Sequence, residues 1–148
     1  VLRAVSFLLF FLAPPLHAQL PREFGVEALA LARDSSLVGG ALVGAVHPSP
    51  RMRVALTVGA GGGEGGFGGR AELAGHFLLS PALVRGIGVY GGGGVAVERR
   101  HDTRGFLELL VGLETDPGAR NGWVLEAGLG GGVRLAVGWR TRWLTRRR

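Results

Sequence analysis

The chain has 148 residues, 47% hydrophobic and 19% charged, with 28 glycines and no cysteine, and at that length it makes about one domain. The missing cysteine excludes a disulfide framework, a cysteine-ligated zinc or iron–sulfur site, a thiol nucleophile and a lipoprotein acylation site. The hydrophobic content excludes a disordered chain, and the lack of a Gly-X-Y period excludes collagen. All 17 basic residues are arginine and the formal charge is +6. Setting aside Arg3 and the five arginines Arg140, Arg142, Arg146, Arg147 and Arg148 leaves 11 arginines against 11 acids. The body is therefore neutral, and the basic character belongs to a C-terminal tail, not to a nucleic-acid-binding face.

Residues 1–18 read as a cleavable secretory signal. Arg3 supplies a positive start, Ala4 to Ala13 an apolar run too short to span a bilayer, Pro14-Pro15 a helix stop, and Leu16-His17-Ala18 a small residue before the cut. Residues 19–148 then form one domain. Beyond the leader every apolar run is broken by glycine, arginine or glutamate, so no helix spans a membrane. Alternation with period two takes over. In 51–60, Met52, Val54, Leu56 and Val58 oppose Arg51, Arg53 and Thr57; in 67–79, Phe67, Leu73, Phe77 and Leu79 oppose Arg70, Glu72 and His76. Leu107, Leu109, Val111 and Leu113 oppose Glu108, Gly112 and Glu114. Trp123, Leu125 and Leu129 oppose Glu126, and Val133, Leu135, Val137, Trp139 and Trp143 oppose Arg134, Arg140 and Arg142.

Eight strands are predicted, at about 23–33, 37–47, 51–61, 67–79, 83–98, 104–115, 121–130 and 132–143. About 16 residues per strand and connection suit tilted spanning strands joined by short turns. Pro48, Pro50, Pro81 and Pro117 fall in alternate connections, which in an up-and-down barrel share the rim of the chain ends, expected to be periplasmic. The second strand barely discriminates its faces, and the glycine run at 130–132 leaves the division of the last two strands to be decided. Arg85 lands on the apolar face of the fifth strand.

Side-chain size decides which face points inward. The polar face combines glycine and alanine with Glu27, Arg53, Arg70, Glu72, His76, Tyr90, Glu108, Glu126, Arg134 and Arg140, which are near charge balance and able to interlock inside a narrow eight-stranded tube. The bulkier apolar face then meets lipid, the inversion that marks a membrane barrel. Unpaired buried charge is costly, so Glu72, Glu108 and Glu126 are expected to meet Arg53, Arg70 and Arg134. Trp123, Trp139 and Trp143 suit an interfacial aromatic belt. The alternative is a soluble secreted or periplasmic barrel that binds a small apolar ligand in its interior.

Catalytic and cofactor chemistry finds little support. Gly61, Gly63 and Gly66 satisfy Gly-x-Gly-x-x-Gly, but in so glycine-rich a chain this is expected by chance, and no β-α-β unit surrounds it. Lysine is absent, His47, His76 and His101 lack metal-ligand spacing, and serine is scarce. The reading is of a non-enzyme with no cofactor and no metal site.

The Gly-aromatic alternation Gly86-Ile87-Gly88-Val89-Tyr90-Gly91 and the closing Val124-Leu125-Glu126-Ala127-Gly128-Leu129-Gly130-Gly131-Gly132-Val133-Arg134-Leu135 resemble the small outer-membrane β-barrels of the OmpA/OmpX type over about residues 22–143. The resemblance implies an eight-stranded, antiparallel, up-and-down barrel that is non-enzymatic and monomeric, with a structural or surface-contact role. Its expected partners are outer-membrane lipid, lipopolysaccharide and the barrel assembly machinery, and not nucleic acid. In that family the last strand typically ends on an aromatic residue, whereas here Leu144 to Arg148 follow Trp143.

Overall fold

The computed structural model describes residues 21–33 and 36–143; the leader, Asp34, Ser35 and residues 144–148 lie outside them. The described chain forms eight strands: β1 (Arg22–Ala32), β2 (Leu37–Ser49), β3 (Met52–Gly62), β4 (Gly68–Leu78), β5 (Ile87–Arg99), β6 (Thr103–Thr115), β7 (Asn121–Leu129) and β8 (Val133–Trp143). Each strand pairs antiparallel with the next. The sheet closes through β1 and β8, from Arg22 opposite Trp143 to Ala32 opposite Val133. Closure leaves no edge strand, so the interior ladder groups are satisfied without water. None of the described residues forms a helix long and apolar enough to cross a membrane.

Alternation sets the two faces. Glu108 is 2% exposed and Leu109 69%; Glu126 is 2% exposed and Leu125 53%. The same step recurs on every strand, so the charged residues point in and Val26, Leu42, Leu56, Leu73, Val95, Leu107, Leu113 and Leu135 point out. Outward positions of all eight strands are uncharged except at Arg22 and Arg99, the terminal residues of β1 and β5. The apolar part of the interior is thin: Ala74, Leu78, Tyr90, Leu110 and Val124 form one cluster, and Val43, Ala45 and Ala55 another. A soluble barrel with an apolar ligand cavity would need the opposite arrangement.

Several boundaries depart from the periodicity. β5 begins at Ile87, not at 83, because residues 79–86 form a turn closed by Gly86, whose φ of 115° only glycine adopts readily. The Asp116 carboxylate accepts the Gly86 N–H at 2.8 Å, and Arg85 lies exposed in this connection. β2 runs on to Ser49 through a register shift between Val46 and Ser49, where Pro48 has no N–H to give the ladder. Its faces resolve with Leu37, Ala41, Val43 and Ala45 inside and Val38, Leu42 and Val46 outside. Residues 130–132 are a true hairpin turn, with Gly131 at φ 74° and Gly132 at φ 148°, so β7 and β8 are separate and the count is even.

Two of the five arginines assigned to a basic tail belong to the fold. Arg140 and Arg142 lie on β8 and are 1% and 6% exposed. Both occupy inward positions two and four residues past Gly138 and face carboxylates of β1 and β6.

Candidate functional site

The interior is the only part of the described structure where polar side chains converge at high density. Six glutamates (Glu23, Glu27, Glu72, Glu108, Glu114, Glu126) and five arginines (Arg53, Arg70, Arg134, Arg140, Arg142) are buried there. Strand alternation aims each one inward, and stacked antiparallel registers place them at successive depths.

Nearest the chain ends, Glu23 of β1 accepts Arg142 Nε at 2.8 Å and lies 3.5 Å from Arg53 Nη1 and 3.4 Å from Arg140 Nη1. His47 Nε2 donates to the same Glu23 oxygen as Arg142, Oε2, at 3.2 Å. Glu114 of β6 pairs with Arg142 Nη2 at 2.6 Å and Arg53 Nη1 at 3.0 Å, and Arg142 also donates to the Pro117 carbonyl.

At mid-depth, Arg140 Nη2 bridges Glu27 and Glu126, each at 2.7 Å. The Tyr90 hydroxyl donates to Glu126. Arg53 Nε donates to His76 Nδ1 at 3.0 Å, and its guanidinium carbon sits 4.3 Å from the Tyr90 ring centroid. His76 stacks on Tyr90 with centroids 5.2 Å apart. One sheet of π surface therefore backs one guanidinium, an arrangement that favours the cation further when desolvated.

Toward the far rim, Arg134 reaches four carboxylates: Glu126 at 2.8 Å, Glu72 at 3.0 Å, and Glu27 and Glu108 at 3.4 Å. Arg70 adds Glu72 at 2.5 Å, Glu108 at 3.5 Å and Glu98 at 3.6 Å, and Glu98 meets Arg100 at 2.9 Å. The contacts link into one chain of alternating sign that runs the length of the barrel. Six carboxylates outnumber five guanidiniums, and Tyr90 and His47 supply further hydrogen bonds to the carboxylates.

Arg70 and Arg134 thus meet Glu72, Glu108 and Glu126, whereas Arg53 meets Glu23 and Glu114, not the three glutamates assigned to it from position. Glu23, not singled out from sequence, and Arg142, placed on the polar face of the last strand but counted with the tail, complete the network nearest the chain ends. The signal was present: both sit at inward parity, Glu23 four residues before Glu27 and Arg142 two after Arg140. Trp123, Trp139 and Trp143 are all on the outer surface toward the chain ends, with Trp123 and Trp139 in edge contact at 5.2 Å.

Beyond Arg70 and Glu98 the barrel mouth holds a shallow cavity of about 150 Å³, lined by Leu31, Arg33, Glu98, Arg100, His101 and Arg104 among others. Among the described residues no group of three His, Asp or Glu side chains could hold a metal. Gly61 ends its run in β3, and Gly63 and Gly66 form a tight turn into β4. A strand therefore follows where a dinucleotide site needs a helix N-terminus.

An inward-charged, outward-apolar closed sheet of eight antiparallel strands is the architecture of the small outer-membrane barrels. Solved structures agree with that class. The N-terminal β-barrel domain of Pseudomonas aeruginosa OprF is similar over 84% of this chain and 100% of its own, with 16% identity and a TM-score of 0.58. Neisserial surface protein A is similar over 85% of this chain and 98% of its own, with 10% identity and a TM-score of 0.62. The de novo designed TMB2.3 is similar over 84% and 96%, with 16% identity and a TM-score of 0.54. At these identities the likeness is one of fold. No protein-family model matches the chain, and no curated protein matches it.

Proposed function

We propose that this chain is a non-enzymatic outer-membrane barrel of a Gram-negative-type envelope, with a structural or surface-contact role and a lumen plugged by its own arginine and glutamate side chains. One observation carries the reading: every outward strand position between the rims is uncharged, while eleven ionisable arginines and glutamates are buried inside. Water rewards the reverse arrangement, and only hydrocarbon around a closed ladder favours this one. Closure without an edge strand supports a monomer. The outer surface supports lipid and lipopolysaccharide as its surroundings and the barrel assembly machinery as its route there.

The plug bears on what such a barrel does. Guanidiniums and carboxylates packed in successive contacts along the lumen support a small passive conductance. The test is fractionation with a heat-shift gel, followed by planar bilayers. Recovery in outer membranes with different mobility before and after heating is expected. A soluble protein with one mobility in both lanes would overturn the reading, and large steady conductance would overturn the plug.

A further inference from the structure

The rim carrying the chain ends has one arginine at each of four places around its circumference. Arg22 opens β1, Arg51 lies in the β2–β3 turn, Arg85 in the β4–β5 connection and Arg120 in the β6–β7 connection. All four are exposed. The carboxylates of this rim are engaged elsewhere: Glu23 and Glu114 are buried against lumen arginines, and Asp116 holds the Gly86 N–H. The opposite rim mixes its signs, with Arg104 on Asp102 at 2.8 Å and Arg100 on Glu98 at 2.9 Å.

The ring also has a defined height. Arg22 stands directly opposite Trp143 in the β1–β8 ladder, and Arg120 precedes Trp123 by three residues. Aromatic side chains on a barrel's outer surface settle at the headgroup level. Arginines at or just beyond that level reach the phosphates, which their planar forks bind bidentately while their stems lie along apolar surface.

We propose that this four-arginine ring is a docking surface for the phosphates of anionic glycerophospholipids in the leaflet on the chain-end side. The inference rests on the membrane-barrel reading above. It adds an electrostatic fastening to the apolar one, on one rim only, so that lipid composition of that leaflet sets the depth and hold of the barrel. An anionic surface attracts each arginine independently, and four spaced around the rim engage separate lipids.

All three tryptophans of the chain lie toward this rim, so intrinsic fluorescence reports it alone. The full chain is folded into phosphatidylcholine vesicles containing a minor fraction of brominated phosphatidylglycerol or, separately, brominated phosphatidylcholine. Quenching by the anionic lipid is expected to be about threefold stronger or more at equal mole fraction. The ratio should fall to about one in the combined Arg22→Gln, Arg51→Gln, Arg85→Gln and Arg120→Gln variant and persist in Arg33→Gln with Arg99→Gln at the other rim. If the fourfold variant shows no heat shift, Arg22→Gln should lower the ratio alone and Arg22→Lys should restore most of it. Equal quenching in the wild type, or preference surviving in the fourfold variant, overturns the ring. A wild-type chain that does not insert at all overturns the barrel reading itself, a result distinct from insertion without lipid preference.

Discussion

Tyr90 of β5 stands directly opposite Gly112 of β6, and its ring fills the space that a side chain on Gly112 would need. The pairing lets a large inward residue lie flat against the wall, where it stacks on His76, underlies Arg53 and donates to Glu126. Glu27 opposite Gly138 and Arg140 opposite Gly25 repeat the relationship. At these three pairs the inward glycine makes the room that the large side chain opposite it occupies in the narrow tube.

Gly112→Ala should therefore cost about 1–3 kcal/mol by overpacking, because Tyr90 must leave its stack and its bond to Glu126. Gly105→Ala, on the outer face of the same strand with nothing within 4 Å of a new Cβ, should be near neutral. Urea unfolding from lipid vesicles, followed by tryptophan fluorescence, compares the two; equal midpoints would contradict the packing argument.

Arg134 has four carboxylates within ion-pair distance. Arg134→Met should destabilise the barrel by about 3–5 kcal/mol, since it leaves Glu27, Glu72, Glu108 and Glu126 to share only Arg70 and Arg140 and so raises the uncompensated negative charge buried in the lumen. Arg104→Met, which removes an exposed pair with Asp102, should cost under about 1 kcal/mol. Denaturant titration of both variants decides, and similar small losses would mean that the interior is solvated enough to screen its charges.

Charge placed on the outer wall should report depth. Leu125→Arg, halfway along β7, is expected to cost about 2–4 kcal/mol in a bilayer, and Thr103→Arg, at the strand end, about 0–1 kcal/mol. The measurement is equilibrium folding into vesicles. A flat response across the two positions would mean that this face does not meet hydrocarbon.

The absence of cysteine makes single-cysteine labelling clean. Nitroxides at Leu109 and Leu125 should collide freely with oxygen dissolved in lipid, while labels at the inward Ala55 and Ala136 should be slow and shielded from it. The reversed pattern in power-saturation measurements would invert the wall.

Much of this was legible from residue order alone. Strict alternation in β3, β4, β6 and β8 put Arg53, Glu72, Glu108 and Arg134 on the face opposite Leu56, Leu73, Leu109 and Leu135, because successive Cβ atoms of a strand must point to opposite sides. β2 resisted the same reading because Val43 and Leu42 are equally apolar, and only closure shows that Val43 is inside. The start of β5 was misplaced because Leu83 and Val84 continue an apolar run, while the turn that ends it depends on Asp116, thirty residues away from Gly86.

By itself the sequence determined the period-two alternation, the sign of the faces in the strands where charge and bulk separate, and the shared rim of the prolines, all consequences of local geometry and period. Tertiary structure alone decided that Arg53 turns to Glu23 and Glu114, which carboxylates Arg140 and Arg142 meet, and that four arginines share one rim. Those facts depend on the stagger with which eight tilted strands close. Stagger accumulates across every hydrogen-bonded pair, so it has no counterpart in any single stretch of chain.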